Sequence, residues 1–431
     1  MKKVLAMILA LSLVLSLAAC SGGSGDSTSG GDAQQSGDSS TSGGDAQQSG
    51  DSSASGGDAQ QGGDSSAPSG DTVRIGVFEP STGDSGPGGK QEMLGMQYAN
   101  KETPTVEIGG KTYNVELVYA DNGSTSDKAP TAAAELVSKG VSLVLGSYGS
   151  GVSMAGGPVF NDAGLCAIGV TCTNPGVTAG NDYYFRICFL DNFQAQVLVN
   201  FAQDKFSAKK AYLLGELGNE YDQGLITFFE QTFTSAGGEV VKDSFPSNTS
   251  DFTTFLNKAV SVGADVIFCP VSIAYATQII KQAASMNLEI PLLGSDTLDS
   301  NKVLEAAQGS GVQLYVSTFY QEGGSAAFDD GIKAWLNEDS TAMTNNGGND
   351  TIAAVTAMGY DAYYVALEVL KSAGSLDLAA IKAALPGVTY TGVSGAIGFD
   401  ATGDAVRDTA YIKTSDNANG VWTLETVQTA S

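Results

Sequence analysis

Residues 141–173 read VSLVLGSYGSGVSMAGGPVFNDAGLCAIGVTCT. The run 141–145 is apolar without alternation, as a strand covered on both faces would be. Gly146-Ser147-Tyr148-Gly149-Ser150-Gly151 follows, and the next stretch predicts a helix over about 152–162. A second apolar strand is expected at 166–170, running into Thr171-Cys172-Thr173. Strand, glycine-serine turn, helix, strand is one βαβ unit, and such units stack into parallel sheets with helices on both faces.

The alternation extends in both directions. Upstream, strands are predicted at 73–78 and 115–120 and helices at about 91–100 and 128–139. It restarts after Asp191, with helices at about 194–204, 223–235, 252–262 and 276–286, and strands at 211–214, 240–245, 266–269 and 291–293. Helices at 326–336 and 352–372, with three short strands near the end, are expected to return over the sheets. The fold class is therefore α/β, as two doubly wound three-layer lobes.

Composition removes most other functions. The 431 residues carry 21 Lys+Arg against 47 Asp+Glu, a net charge of −26, and no histidine. From Thr72 onward 39 acidic and 19 basic residues remain. Such a surface repels nucleic acid phosphate and anionic lipid. Without histidine there is no Ser–His–Asp or Cys–His nucleophile arrangement and little basis for a zinc site, so neither an enzyme, a metal nor a cofactor is expected.

Two segments stand outside the fold. Lys2-Lys3, an apolar run over 4–17 and Leu17-Ala18-Ala19-Cys20 make a secretory signal at 1–19, too short to span a membrane as a helix. Its end resembles the lipobox of bacterial lipoproteins, which implies that Cys20 is lipidated. Over 20–71 the chain is Gly, Ser, Asp, Gln, Ala and Thr, with a thirteen-residue unit at 29–41, 42–54 and 55–67. It has no large apolar side chain to offset the entropy of ordering, so it reads as a disordered tether of about 40 Å root-mean-square span.

In open α/β sheets, ligands bind beyond the carboxyl ends of strands, at helix N-termini with free N–H groups. Ser150 opens a helix there. Thr171 and Thr173 follow a strand, where alternation is expected to put both hydroxyls on one side. Asp296 follows the strand at 291–293. Other motifs fail. Gly89-Lys90 lacks the P-loop's glycine at Asp84 and hydroxyl at Gln91, and no G-x-G-x-x-G opens a helix. Cys166 and Cys172 lie too far apart on one extended segment to pair, and Cys188 and Cys269 read as buried free thiols.

With these pieces placed, the chain from Thr72 onward resembles the branched-chain amino acid binding proteins, the type I bilobed solute receptors of ABC transporters. The resemblance is carried by Pro80-Ser81-Thr82-Gly83, Leu145-Gly146 through Asn161-Asp162-Ala163-Gly164, and Phe185-Arg186. Tyr221 with Gly224, Gly294-Ser295-Asp296, and Gly398-Phe399-Asp400 through Gly403-Asp404 complete it.

It implies that Ser150, Thr171 and Thr173 hold a ligand carboxylate, Thr171 mainly through its backbone. Asp296 then takes the ammonium, and Tyr221 closes over both. Charge-assisted hydrogen bonds at two poles select a zwitterion. Where relatives place aromatic walls this chain has Gly88 and Ser272, leaving Tyr148 or Tyr275 to refill the pocket. Glu79, beside the first strand's end, is placed either to read a cationic group or, as is expected, to face solvent.

The resemblance further implies lobes at 72–190 plus 320–402 and at 191–319 plus 403–431, joined by three crossings. The implied function is a monomeric, lipid-anchored extracytoplasmic receptor that closes on an amino acid and delivers it to an ABC permease. The competing readings are a receptor for an amide or aromatic acid and the sensing subunit of a signalling system.

Overall fold

The computed structural model describes residues 70–429. Cys20, the signal and nearly all of the tether lie outside the described residues. The chain runs through β1 (Thr72–Glu79), α1 (Gly86–Glu102), β2 (Thr105–Ile108), β3 (Lys111–Asp121), α2 (Ala129–Ser138), β4 (Leu143–Leu145), α3 (Ser150–Asp162), β5 (Ala167–Gly169) and β6 (Tyr184–Arg186). These strands form a sheet in the order β2-β3-β1-β4-β5-β6, parallel from β3 to β6 with β2 antiparallel at the edge.

A second sheet follows. Its helices and strands alternate as α4 (Asp191–Phe206), β7 (Lys210–Glu216), α5 (Glu220–Ser235), β8 (Glu239–Phe245), α6 (Thr253–Ser261), β9 (Val266–Phe268), α7 (Ile273–Ser285), β10 (Leu292–Gly294), α8 (Asn301–Ala307) and β11 (Leu314–Thr318). Then α9 (Ala326–Glu338), α10 (Ser340–Asn345), α11 (Ala354–Ala373), α12 (Leu378–Ala384) and the hairpin β12 (Thr389–Gly392) and β13 (Gly395–Gly398) return to the first sheet. Finally β14 (Thr409–Asp416) and β15 (Val421–Thr429) join the second, in the order β15-β14-β11-β10-β9-β7-β8.

The α/β class stands. Three expectations are corrected. The sheets are not wholly parallel: β2, β14 and β15 pair antiparallel. The outer strand β8 and the long β3 expose every second or third residue, because no helix covers both of their faces. Four strands close the chain rather than three, and two of them are eight and nine residues long. The helices α8, α10 and α12 have six or seven residues, too few for a helical period to declare itself.

Glycines set the closest helix contact. A Cβ on Gly95 of α1 would stand 1.9 Å from the Thr356 carbonyl oxygen, and one on Gly359 of α11 would stand 2.0 Å from that of Glu92. Only glycine lets these two backbones touch, and the contact fixes where Glu92 sits. The chain passes between the sheets before α4, before α9 and before β14. These crossings are bound together. The rings of Phe189 and Phe319 lie 4.2 Å apart, and Arg407 Nε donates to the Ile187 carbonyl at 2.5 Å.

Among the described residues no helix is long and apolar enough to cross a membrane. The four cysteines among them, Cys166, Cys172, Cys188 and Cys269, are free and buried.

Candidate functional site

The loops after β1, β4 and β5 meet those after β7, β9 and β10 across a cleft. Tyr148 Oη donates to the Thr297 carbonyl at 3.4 Å, and Asn174 Nδ2 to that of Glu220 at 3.1 Å, so the two sides are in contact. A cavity of about 350 Å³ lies there, lined by Tyr148, Ser150, Tyr221 and Ser272 among others. Thr171, Thr173 and Asp296 do not line it and are buried, Asp296 against the lining residue Tyr221.

Ser150 is the first residue of α3, whose N-cap is a glycine with no side chain to bond the first turn. The N-terminal N–H groups are therefore left for a ligand. Ser150 Oγ accepts from the Asn174 N–H at 3.2 Å, which joins the two loops expected to hold a carboxylate. The strand argument for the threonines is corrected, because β5 ends at Gly169 and both lie in the loop beyond it. Thr171 gives its hydroxyl to Glu92 Oε2, while Thr173 Oγ1 is buried with no partner among the described residues.

Asp296 begins a short turn after β10. Its Oδ1 accepts from Tyr221 Oη at 2.6 Å and from Gln194 Nε2 at 2.7 Å. Burial lifts its carboxyl to about 6, although both donors pull it down. Asp191, at the start of α4, is fully buried, and neither of its carboxylate oxygens has a partner among the described residues. Burial pushes it up to about 7, with the nearby Thr173 hydroxyl drawing it down and Asp296 adding like-charge repulsion.

Sequence reasoning passed over Asp191, Gln194 and Glu92. For Asp191 and Gln194 the available signal was a polar pair three residues apart at a helix start, hence on one face, a few residues after a strand.

Glu79 is the plain correction. It is 1% exposed rather than facing solvent, because β1 is central and its end is capped by the turn after β4. The Tyr148 N–H donates to Glu79 Oε2 at 2.7 Å. Glu79 and Glu92 also meet each other, and neither Oε1 has another donor among the described residues. Burial drives Glu79 well above the carboxylate range and Glu92 to about 7, so the pair retains a proton.

Of the two tyrosines expected to refill the pocket, Tyr148 does. A Cβ on Gly88 would stand 2.3 Å from its Cζ, so the ring fills the space that a side chain at 88 would take. Tyr275 does not. It packs edge-on against Phe245 and bonds Glu216 at 3.2 Å and the Asn248 N–H at 3.0 Å.

The arrangement offers helix N–H groups and hydroxyls on one side, and on the other a carboxylate oriented by Tyr221 and Gln194. Two such poles are complementary to the opposite charges of a small dipolar molecule.

Comparison with known proteins agrees. The profile described as "Periplasmic binding protein" matches residues 72–419. The chain is 28% identical over 344 residues to a Leu/Ile/Val-binding protein homolog of Brucella melitensis, covering 77% of this chain and 88% of the other. Among solved structures it is similar to a leucine binding protein of Thermotoga maritima, at TM-score 0.74 and 29% identity over 83% of this chain and 99% of that one. It is likewise similar to a branched-chain amino acid substrate-binding protein of Streptococcus pneumoniae in complex with isoleucine. There the TM-score is 0.70 and the identity 27%, again over 83% and 99%.

Proposed function

The chain belongs to the periplasmic binding protein family, and from that premise we propose that it captures an amino acid between two closing lobes and presents it to an ABC permease. The family is one of solute receptors that work outside the cytoplasm, not of enzymes. The observation that carries the reading is the pairing of opposite poles. Ser150 and the open start of α3 stand on one side, and Asp296, held by Tyr221 and Gln194, on the other. A carboxylate suits the first and an ammonium the second.

Thr171 and Thr173 belong to the carboxylate side in this reading, with Asp191 beside Asp296 at the ammonium. Tyr148 and Ser272 flank the ligand's side chain. The lobes are 72–190 plus 320–402 and 191–319 plus 403–431, and closure brings Tyr221 and Asp296 onto a ligand already held by the first lobe. In the same reading Cys20 is lipidated, 20–71 serves as its tether, and the receptor acts as a monomer.

The test is a thermal-shift screen of the protein against the twenty amino acids and matched acids and amides lacking one pole. A ligand at a hundred times its dissociation constant adds about 2.7 kcal/mol of stability. Shifts confined to molecules that lack the amino group would sink the amino-acid reading and leave the receptor.

A further inference from the structure

Ser272 stands at the N-cap of α7, where a serine ordinarily turns its oxygen back onto the first helical turn. Here it makes no such bond. The residue is 9% exposed, its Oγ has no partner among the described residues, and it lines the cavity. A hydroxyl kept from capping its own helix and buried against an open cavity is placed to meet something that enters there.

The charge of the surrounding wall says what. Asp127, Glu216 and Glu220 line the same cavity, and among the described lining residues none is Lys or Arg. Glu216 is only half-buried, and its two oxygens accept long bonds, from Tyr275 Oη at 3.2 Å and Asn219 Nδ2 at 3.3 Å. Glu220 Oε2 reaches across the cleft to within 2.5 Å of where a Cβ on Gly151 would stand, beside Ser150. The α-ammonium and α-carboxylate of a ligand cancel, so a plain zwitterion brings no net charge to this acidic wall. An aliphatic side chain would also leave Ser272 Oγ buried and unpaired.

Building on the amino-acid reading above, we propose that the ligand is an amino acid whose side chain ends in a cationic hydrogen-bond donor, received by Ser272 Oγ and the Glu216 carboxylate. The acidic wall concentrates such a ligand at the cleft and rejects anionic ones. The cavity of about 350 Å³ that Ser272 and Tyr148 both line gives a long side chain room.

Calorimetric titration of the protein with L-lysine, L-arginine, L-leucine and L-norleucine tests this, since norleucine is lysine without its side-chain ammonium. At least one of the two basic amino acids should bind tenfold or more tightly than norleucine and leucine, and added salt should narrow the gap. In Ser272→Ala and in Glu216→Gln the lysine-to-norleucine ratio should fall about three- to tenfold, with circular dichroism confirming that each variant is folded. Norleucine or leucine binding as tightly as lysine and arginine would overturn the inference and leave the amino-acid receptor standing. Binding of none of the four, with shifts only from non-amino compounds, would overturn both.

Discussion

Tyr221 Oη donates to Asp296 Oδ1 at 2.6 Å, with both groups buried. The bond aims the carboxylate and favours its charged form. Tyr221→Phe should therefore weaken amino acid binding about tenfold, in line with roughly 1.5 kcal/mol for a hydrogen bond to a charged group. It should also raise the Asp296 pKa further, so the deficit should be larger at pH 6 than at pH 8. Titrations at both values check this, and a loss independent of pH would mean that the hydroxyl acts on the ligand alone.

Asp296→Ala should cost far more than Ser150→Ala. Removing the carboxylate strands a buried ammonium, at roughly 3 kcal/mol or more, and binding should fall at least a hundredfold. Ser150 keeps its backbone N–H at the start of α3 when its hydroxyl is gone, so about tenfold or less is expected there. Equal losses in calorimetry would reverse the assignment of the two poles.

Burial lifts Asp296 to about 6 and Asp191 and Glu92 to about 7, above their ordinary 3.8 and 4.5. The folded chain thus holds protons that the unfolded chain has released. That contribution to stability is complete below about pH 4 and is lost as pH rises through 6 and 7. The melting temperature of the unliganded protein should fall over this interval. Ligand affinity should move the opposite way, because an ammonium needs Asp296 charged. It should rise by up to about tenfold per pH unit for each proton displaced, and titration in buffers of different ionisation enthalpy should register proton release.

Gly88 and Tyr148 form a matched pair. In Gly88→Ala the new methyl would meet the Tyr148 ring, and strain of about 1–3 kcal/mol should lower the melting temperature. Adding Tyr148→Ala should recover most of that loss, a coupling that a double-mutant cycle of thermal melts would reveal.

Much of this was legible beforehand where the signal is local. The run 141–145, the glycine-serine turn and the position of Asp296 follow from hydrophobic patterning and chain order. What escaped depends on groups brought together from afar. Asp191 and Gln194 look like an ordinary helix start until Asp296, about a hundred residues later, is folded against them. Glu79 at a strand end reads as solvent-facing, and only the Gly95 and Gly359 contact between α1 and α11 brings Glu92 to it. A single acidic residue carries no sign of its partner, so pairing of this kind cannot be read from the sequence.

The late position of β14 has a bearing on how the protein is made. Lys413, on that strand, is 1% exposed and reaches Asp299 Oδ2 at 2.9 Å, below the turn that carries Asp296. The first sheet is not covered until α11 is available, nor the second complete until β14 and β15 are, and all three lie in the last quarter of the chain. A chain cut at residue 404 should therefore fail to melt cooperatively, which circular dichroism would show. The nascent polypeptide stays unfinished as a folded body until synthesis is nearly over, and that interval is when a secretion apparatus can still thread it.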